Sequence, residues 1–202
     1  MDSQYNTKTG WLCLDFANTV DWHASSHPVE SIMNYFDLLE WSKQAGIVSD
    51  EVTNVLKRKA KEKIAEAQTI LHEARELREA IYQIFSDTIR QHPAEQTDLN
   101  ILNKAIAEMS SHLRLTHYDS GFSWNWDYNT ESLDSILWPI VKSAVDLMTS
   151  EALQRVGQCA DEQGCGWLFW DSSRNRSRRW CDMRDCGNRA KVRRYYQKSK
   201  KQ

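Results

Sequence analysis

Four of the five cysteines fall in the last quarter of the 202-residue chain, at Cys159, Cys165, Cys181 and Cys186, spaced C-x5-C-x15-C-x4-C. A segment of roughly 45 residues seldom buries enough apolar surface to hold a fold unaided, so thiols gathered this densely point to a staple. Zn²⁺ takes four thiolate or imidazole ligands tetrahedrally, and two short loops joined by a hairpin can supply them. No histidine lies beyond His117, so all four ligands would be thiolates. Two disulfides are the other arrangement, and compartment decides between them. The opening MDSQYNTKTG has neither a basic start nor an apolar run, and no stretch of eighteen apolar residues occurs. The expectation is a chain without signal peptide or membrane span, in a reducing cytoplasm where clustered cysteines serve metals more often than disulfides. Cys13, alone in an apolar stretch, reads as a buried core thiol.

The charge changes where the cysteines begin. Residues 174–201 carry twelve basic and two acidic side chains, net +10, which leaves fourteen basic and twenty-six acidic, net −12, for the remainder. Four thiolates and one Zn²⁺ contribute about −2, so the basic segment stays near +8 when metallated. That asymmetry points to a polyanionic partner at one end of the molecule. Glycine follows the same break: residues 47–120 hold none and one proline, whereas four of the seven glycines follow residue 156. We therefore expect an α+β chain in two parts. Residues 1–150 would form a mostly helical domain with a small hairpin, and residues 151–202 a zinc-stapled module.

Within the first part, the apolar run Gly10–Val20 predicts a buried strand, with Asp15, Asn18 and Thr19 tying down the loop that follows or lining a ligand site. Helices are expected over 30–45, closed by Gly46, from Ser49 or Asp50, over 62–91, and near 98–109. From His112 to Tyr128 the period changes to two. Phe122, Trp124, Trp126 and Tyr128 alternate with polar residues around the turn Asp119-Ser120-Gly121, which reads as a hairpin with one aromatic face. That face packs as core or, in the alternative, Trp124 and Trp126 form a stacking platform for a ligand. Thr130 is expected to cap a helix running to about Val156, kinked at Pro139.

In the second part, Gly164-Cys165-Gly166 predicts a tight turn, residues 166–171 a strand, Arg178–Cys181 the returning strand, and the residues after Gly187 a helix with Cys186 at its N-terminus. Knuckle, hairpin and ligand-bearing helix make a treble-clef-like order. The last residues, QKSKKQ, have a disordered composition. The run from Cys165 through Trp180-Cys181 to Cys186-Gly187-Asn188-Arg189 resembles the CGNR zinc finger, named for that tetrad. Upstream, WLCLDFANTVDW and the Leu-Arg-Glu-Ala stretch at 77–80 are similar to the ABATE domain that precedes this finger in bacterial proteins. The resemblance implies one structural zinc on Cys159, Cys165, Cys181 and Cys186, and a stress-linked bacterial transcription regulator whose finger binds DNA.

On that reading the finger meets duplex DNA through Arg174, Arg176, Arg178 and Arg179 on the hairpin and Arg189, Lys191, Arg193 and Arg194 on the helix. Asn188 would cap the helix start. One small finger buries little surface, so a homodimer or partner protein is expected as well, in a cytoplasmic, nucleoid-associated protein. The acidic first part would regulate the finger, either by holding its arginines or by sensing a small molecule at Asp15, Asn18, Trp124 and Trp126. Three other functions remain open: an RNA-binding zinc module, a protein adaptor, and a small-molecule sensor or enzyme. No Walker loop, dinucleotide fingerprint, nucleophile elbow or His-Glu-x-x-His pair is present, so no catalytic residue is assigned.

Overall fold

A computed structural model of the chain describes residues 8–127, 132–161 and 163–199. The polypeptide is α+β, dominated by helices, with three two-stranded antiparallel sheets among the described residues. Its longest element is helix α4, Ile64–Ile89, whose Ala74, Leu77, Ile81, Ile84 and Phe85 recur at helical spacing and are buried. Helix α5, Gln96–His112, folds back along it, and Lys104 reaches Glu73 across the pair at 3.0 Å. Helix α6, Trp138–Met148, fills the middle, with Trp138, Ile140, Val141, Ala144 and Leu147 all buried.

The apolar run that reads as a strand is instead helix α1, Leu12–Ala17. Leu12, Cys13, Leu14, Phe16 and Ala17 are all buried, so the run lacks a polar face from which its period could be read. The Cys13 amide donates to Ser143 Oγ of α6 at 3.2 Å, which ties this short helix into the core. After it, β1 (Val20–Asp21) pairs with β2 (Val29–Glu30) and frames the loop between them. The expected helix over 30–45 begins late, as α2, Tyr35–Gln44, because Asn34 and Asp37 form a reciprocal capping box. Gly46 closes it at φ +78°, and α3, Asp50–Glu62, starts from the Ser49 cap as expected.

The aromatic hairpin is present, with β3 at Leu113–Tyr118 and β4 at Gly121–Trp126 in the register Leu115↔Trp124. Only its base joins the core: the Trp126 ring lies 6.1 Å from Trp138, while Phe122 and Trp124 project into solvent. The stripe is therefore not core throughout, because the hairpin extends beyond the helices that would cover it. Tyr128 and the expected Thr130 cap lie outside the described residues, as do 200–202 of the basic tail. The single helix expected up to Val156 is divided into a 3-10 turn at Leu133–Leu137, α6, and a second 3-10 turn at Glu151–Arg155. Pro139 sits in the first turn of α6, where its missing N–H costs no hydrogen bond, so it starts a helix and does not kink one.

The C-terminal segment opens with β5 (Val156–Gln158) paired to β6 (Leu168–Trp170). Helix α7, Asn188–Ser199, ends it after a π-helical turn at Met183–Gly187. The returning strand expected at Arg178–Cys181 is absent. The buried Asp171 carboxylate accepts from the amides of Ser173 and Arg178, both at 2.8 Å, so the chain forms a closed loop where a ladder was expected. Ala160 then takes the Arg179 carbonyl at 2.9 Å.

Candidate metal centre and nucleic-acid interface

Pairing of β5 with β6 brings Cys159 and Cys165 to the open end of one small sheet, where the Cys159 amide donates to the Trp167 carbonyl at 2.8 Å. The loop closed by Asp171 delivers Cys181, and the π-helical turn delivers Cys186 just before α7. Cys159, Cys165 and Cys186 are buried, Cys181 is half-buried, and the rings of Trp167 and Trp180 pack beside them. All four sulfurs lie within 4.8 Å of one another. Cys165 and Cys181 stand 3.6 Å apart, as do Cys181 and Cys186. A tetrahedral Zn²⁺ with bonds of about 2.3 Å needs sulfur–sulfur edges of about 3.8 Å, so this cluster fits zinc.

The four thiols also perturb one another's ionisation. The thiols of Cys165 and Cys181 donate toward the Cys159 sulfur and hold its pKa far below the ordinary thiol range. Bonding to Cys159 pushes Cys165 and Cys181 up, and burial pushes Cys186 up. Four sulfurs in contact cannot all ionise against one another, and a central divalent cation removes that conflict.

An ABATE family model, described as "Putative stress-induced transcription regulator", matches residues 10–151, and a CGNR zinc finger model matches residues 155–199. The chain belongs to the ABATE family. No curated protein matches it. This ABATE protein carries a CGNR finger with one structural zinc, and both matched families are regulatory or zinc-binding in kind. Among the described residues, no helix is long and apolar enough to cross a membrane.

The eight basic residues singled out in the ABATE protein's finger divide into two groups. Arg174, Arg176 and Arg179 lie exposed on the loop closed by Asp171, and Lys191 and Arg194 lie exposed on α7. Arg179 and Arg194 flank the Trp180 ring, at 5.4 and 5.9 Å from its centroid. Arg176 reaches Gln154 Oε1 at the long distance of 3.5 Å, whereas the other three are held by shorter bonds to carbonyls or carboxylates of the finger. Arg178 donates to the carbonyls of Trp180 and Cys181 and lies 4.7 Å over Phe169. Arg189 and Arg193 both reach the Asp161 carboxylate, at 2.9 and 3.1 Å, and that carboxylate is fully buried. Asn188 donates to the Arg184 carbonyl at 2.8 Å, while the cap before the π-helical turn is Asp182, which accepts from Arg184 and Asp185.

The proposed ligand residues of the N-terminal part are spread across different roles. Asp15 accepts from the amides of Lys8 and Thr9 at 2.6 and 3.0 Å, and burial raises its pKa against those bonds. Asn18 bonds to the backbone of Leu168, Trp124 is exposed, and Trp126 packs on Trp138. A cavity of about 230 Å³ lies elsewhere, between α4, α5 and α6. Leu77, Leu137 and Val141 line it, together with Glu73, Glu108 and Asp134.

Sequence reasoning missed the loop at Trp22–Ser25, which carries the finger. The amides of His23 and Ala24 donate to the carbonyls of Cys165 and Gly164, at 3.0 and 3.1 Å, and Trp22 lies against Arg189, 4.6 Å from ring centroid to guanidinium. Only Trp22 of this loop belongs to the WLCLDFANTVDW stretch similar to the ABATE domain, and nothing in the spacing links His23 to Cys165, 142 positions away. Asp161 was missed for a related reason: an acidic residue two places after a cysteine carries no periodic signal.

Proposed function

We propose that this ABATE protein binds duplex DNA through the outward basic face of its zinc finger, and that its N-terminal part regulates that contact. The observation that carries this reading is the sorting of the finger's cations. Arg178, Arg189 and Arg193 hold the finger together, while Arg174, Arg176, Arg179, Lys191 and Arg194 remain outward on one loop and one helix. A zinc-stiffened loop presents arginines to phosphates with less conformational entropy to lose than a flexible tail, and exposed α7 side chains suit a groove. Val192, Tyr195 and Tyr196 are also exposed on α7, which gives that helix apolar surface as well as charge.

Selection of bound oligonucleotides from a random duplex pool, on zinc-loaded and chelated protein, tests the reading. Enrichment that requires zinc supports it, and none under either condition refutes it. Competition with structured RNA separates the RNA-binding alternative, since arginine-rich loops also read RNA shape. The cavity between α4, α5 and α6 supports a second element, in which a small molecule bound to the N-terminal part regulates the finger. A second copy of the chain or a partner protein supplies the contact area one finger lacks.

A further inference from the structure

We propose that the N-terminal part completes the zinc centre: Trp22 and Arg189 form its outer wall, and Arg189 of the CGNR tetrad serves the metal and not the nucleic acid. The argument starts at Cys186. Arg189 Nη2 lies 2.9 Å from the Cys186 sulfur and 2.9 Å from Asp161 Oδ2, and Nη1 lies 2.8 Å from Asp185. A zinc tetrathiolate carries a net charge of about −2, and in a buried site that charge needs a counter-charge and donors at sulfur. Arg189 supplies both. Asp161, buried among these groups, holds the guanidinium against the Cys186 sulfur.

The second side of that guanidinium is covered from the other end of the chain. Trp22 holds a left-handed backbone, φ +56°, which a bulky residue adopts only when its surroundings enforce it. The surroundings here are the metal knuckle itself, through the amides of His23 and Ala24 on the carbonyls of Cys165 and Gly164. Two glycines let these backbones meet. A Cβ on Gly166 would lie 2.6 Å from Ala24 Cβ, and one on Gly164 would lie 2.7 Å from Ser25 Cα, at φ of +69° and +92°. Tyr82 of α4 donates to the Gly166 carbonyl at 3.1 Å, and Trp167 Nε1 to the Val20 carbonyl at 2.9 Å. The zinc ligands are all in the finger, but their support extends into residues 20–25 and α4. Zinc retention is therefore coupled to the state of the N-terminal part, and a signal received there can loosen or tighten the metal.

The test is equilibrium competition for zinc between the full-length protein and the chromogenic chelator 4-(2-pyridylazo)resorcinol, which reads metal affinity without any DNA. Arg189→Ala and Trp22→Ala should each weaken zinc binding about tenfold or more, in the range seen for outer-sphere partners of metal sites. Arg58→Ala, an exposed arginine of α3 far from the thiols in sequence, should leave it within twofold. Arg189→Lys should recover part of the loss, because it keeps the charge but lacks the second nitrogen that reaches Asp185. The double variant Trp22→Ala/Arg189→Ala should be no weaker than the weaker single one, since Trp22 acts through Arg189. Circular dichroism of each zinc-loaded variant checks folding, and Arg189→Lys serves if Trp22→Ala does not fold. Wild-type zinc affinity in Arg189→Ala, or additive losses in the double variant, would overturn the proposal.

Discussion

Asn18 and Leu168, 150 residues apart, are joined by a reciprocal pair of hydrogen bonds: Asn18 Nδ2 donates to the Leu168 carbonyl and the Leu168 amide donates to Asn18 Oδ1, both at 2.8 Å. The side-chain amide thus acts as one more residue of strand beside β6. Leu168 is fully buried, so its backbone groups have no access to water if Asn18 is lost. Asn18→Ala should cost about 2–4 kcal/mol, the desolvation penalty of two unpaired buried groups. For a chain of this length the melting temperature should fall by about 4–16 °C. Asn18→Asp keeps the acceptor for the amide but faces a carboxylate to the carbonyl, and should also destabilise. A wild-type melting curve for both variants would show that the finger is not anchored here.

Removal of zinc should expose four thiols and leave the fifth protected. Cys159, Cys165, Cys181 and Cys186 form the metal cluster, whereas Cys13 is fully buried in the helical core against α6. Without metal the small core around Trp167 and Trp180 cannot hold the four sulfurs together. Titration with a chromogenic disulfide should give four fast-reacting thiols after chelation and a fifth only in denaturant. Five fast thiols would mean that the core unfolds with the finger.

Acid should weaken the junction at Glu30, Arg78 and Glu79. Arg78 is buried and bonds both Glu30 oxygens, at 2.8 and 2.7 Å, while His23 and Arg78 contact Glu79. Burial pushes both carboxyls up, but bonds from Arg78 to Glu30 and from His23 to Glu79 outweigh it and hold both below the ordinary value of 4.5. A carboxyl lowered in the folded state contributes stability that is fully present above its unfolded value and is lost as pH falls through its folded value. The denaturant midpoint should therefore stay level above about pH 5 from these groups and fall below about pH 4.5. Protonation of the zinc thiolates adds to the loss, so the informative comparison is Arg78→Met, in which the acid-dependent part should shrink. An unchanged acid slope in that variant would exclude Glu30.

Much of the helical frame is legible from the sequence, because α4 presents one broad apolar face at helical spacing and Ser49 and Gly46 mark helix ends. The helix at Leu12–Ala17 reads as a strand in the sequence because burial of all its residues but Asp15 erases the period that would distinguish the two. The cysteine cluster is legible from its spacing together with the charge break and the resemblance to the CGNR finger, since the spacing alone leaves two disulfides open. Its supports are not: Asp161, Trp22 and the closed loop at Asp171 are tertiary facts, in which one carboxylate decides whether Arg178 belongs to a strand or to a turn. The same holds for the cations, since sequence lists eight and only packing separates those that brace the finger from those that face outward.

That separation makes a prediction for binding. Arg174→Ala and Arg194→Ala should each weaken duplex binding modestly and lower the magnitude of the salt slope by about 0.9, the value of one phosphate contact. Arg178→Ala should act differently, through stability, because it frees the carbonyls of Trp180 and Cys181 beside a zinc ligand. Thermal melts beside fluorescence anisotropy separate the two classes. Equal melting losses in all three variants would contradict the division.

The most direct measurement of DNA binding by the finger is the salt dependence of duplex affinity for zinc-loaded full-length protein. Fluorescence anisotropy of a labelled duplex at four salt concentrations gives the slope of log affinity against log salt. Contacts from four of the five outward cations to phosphates predict a slope of about −3 to −4, abolished with the binding itself when zinc is chelated. A slope near zero, or binding indifferent to chelation, would contradict the account.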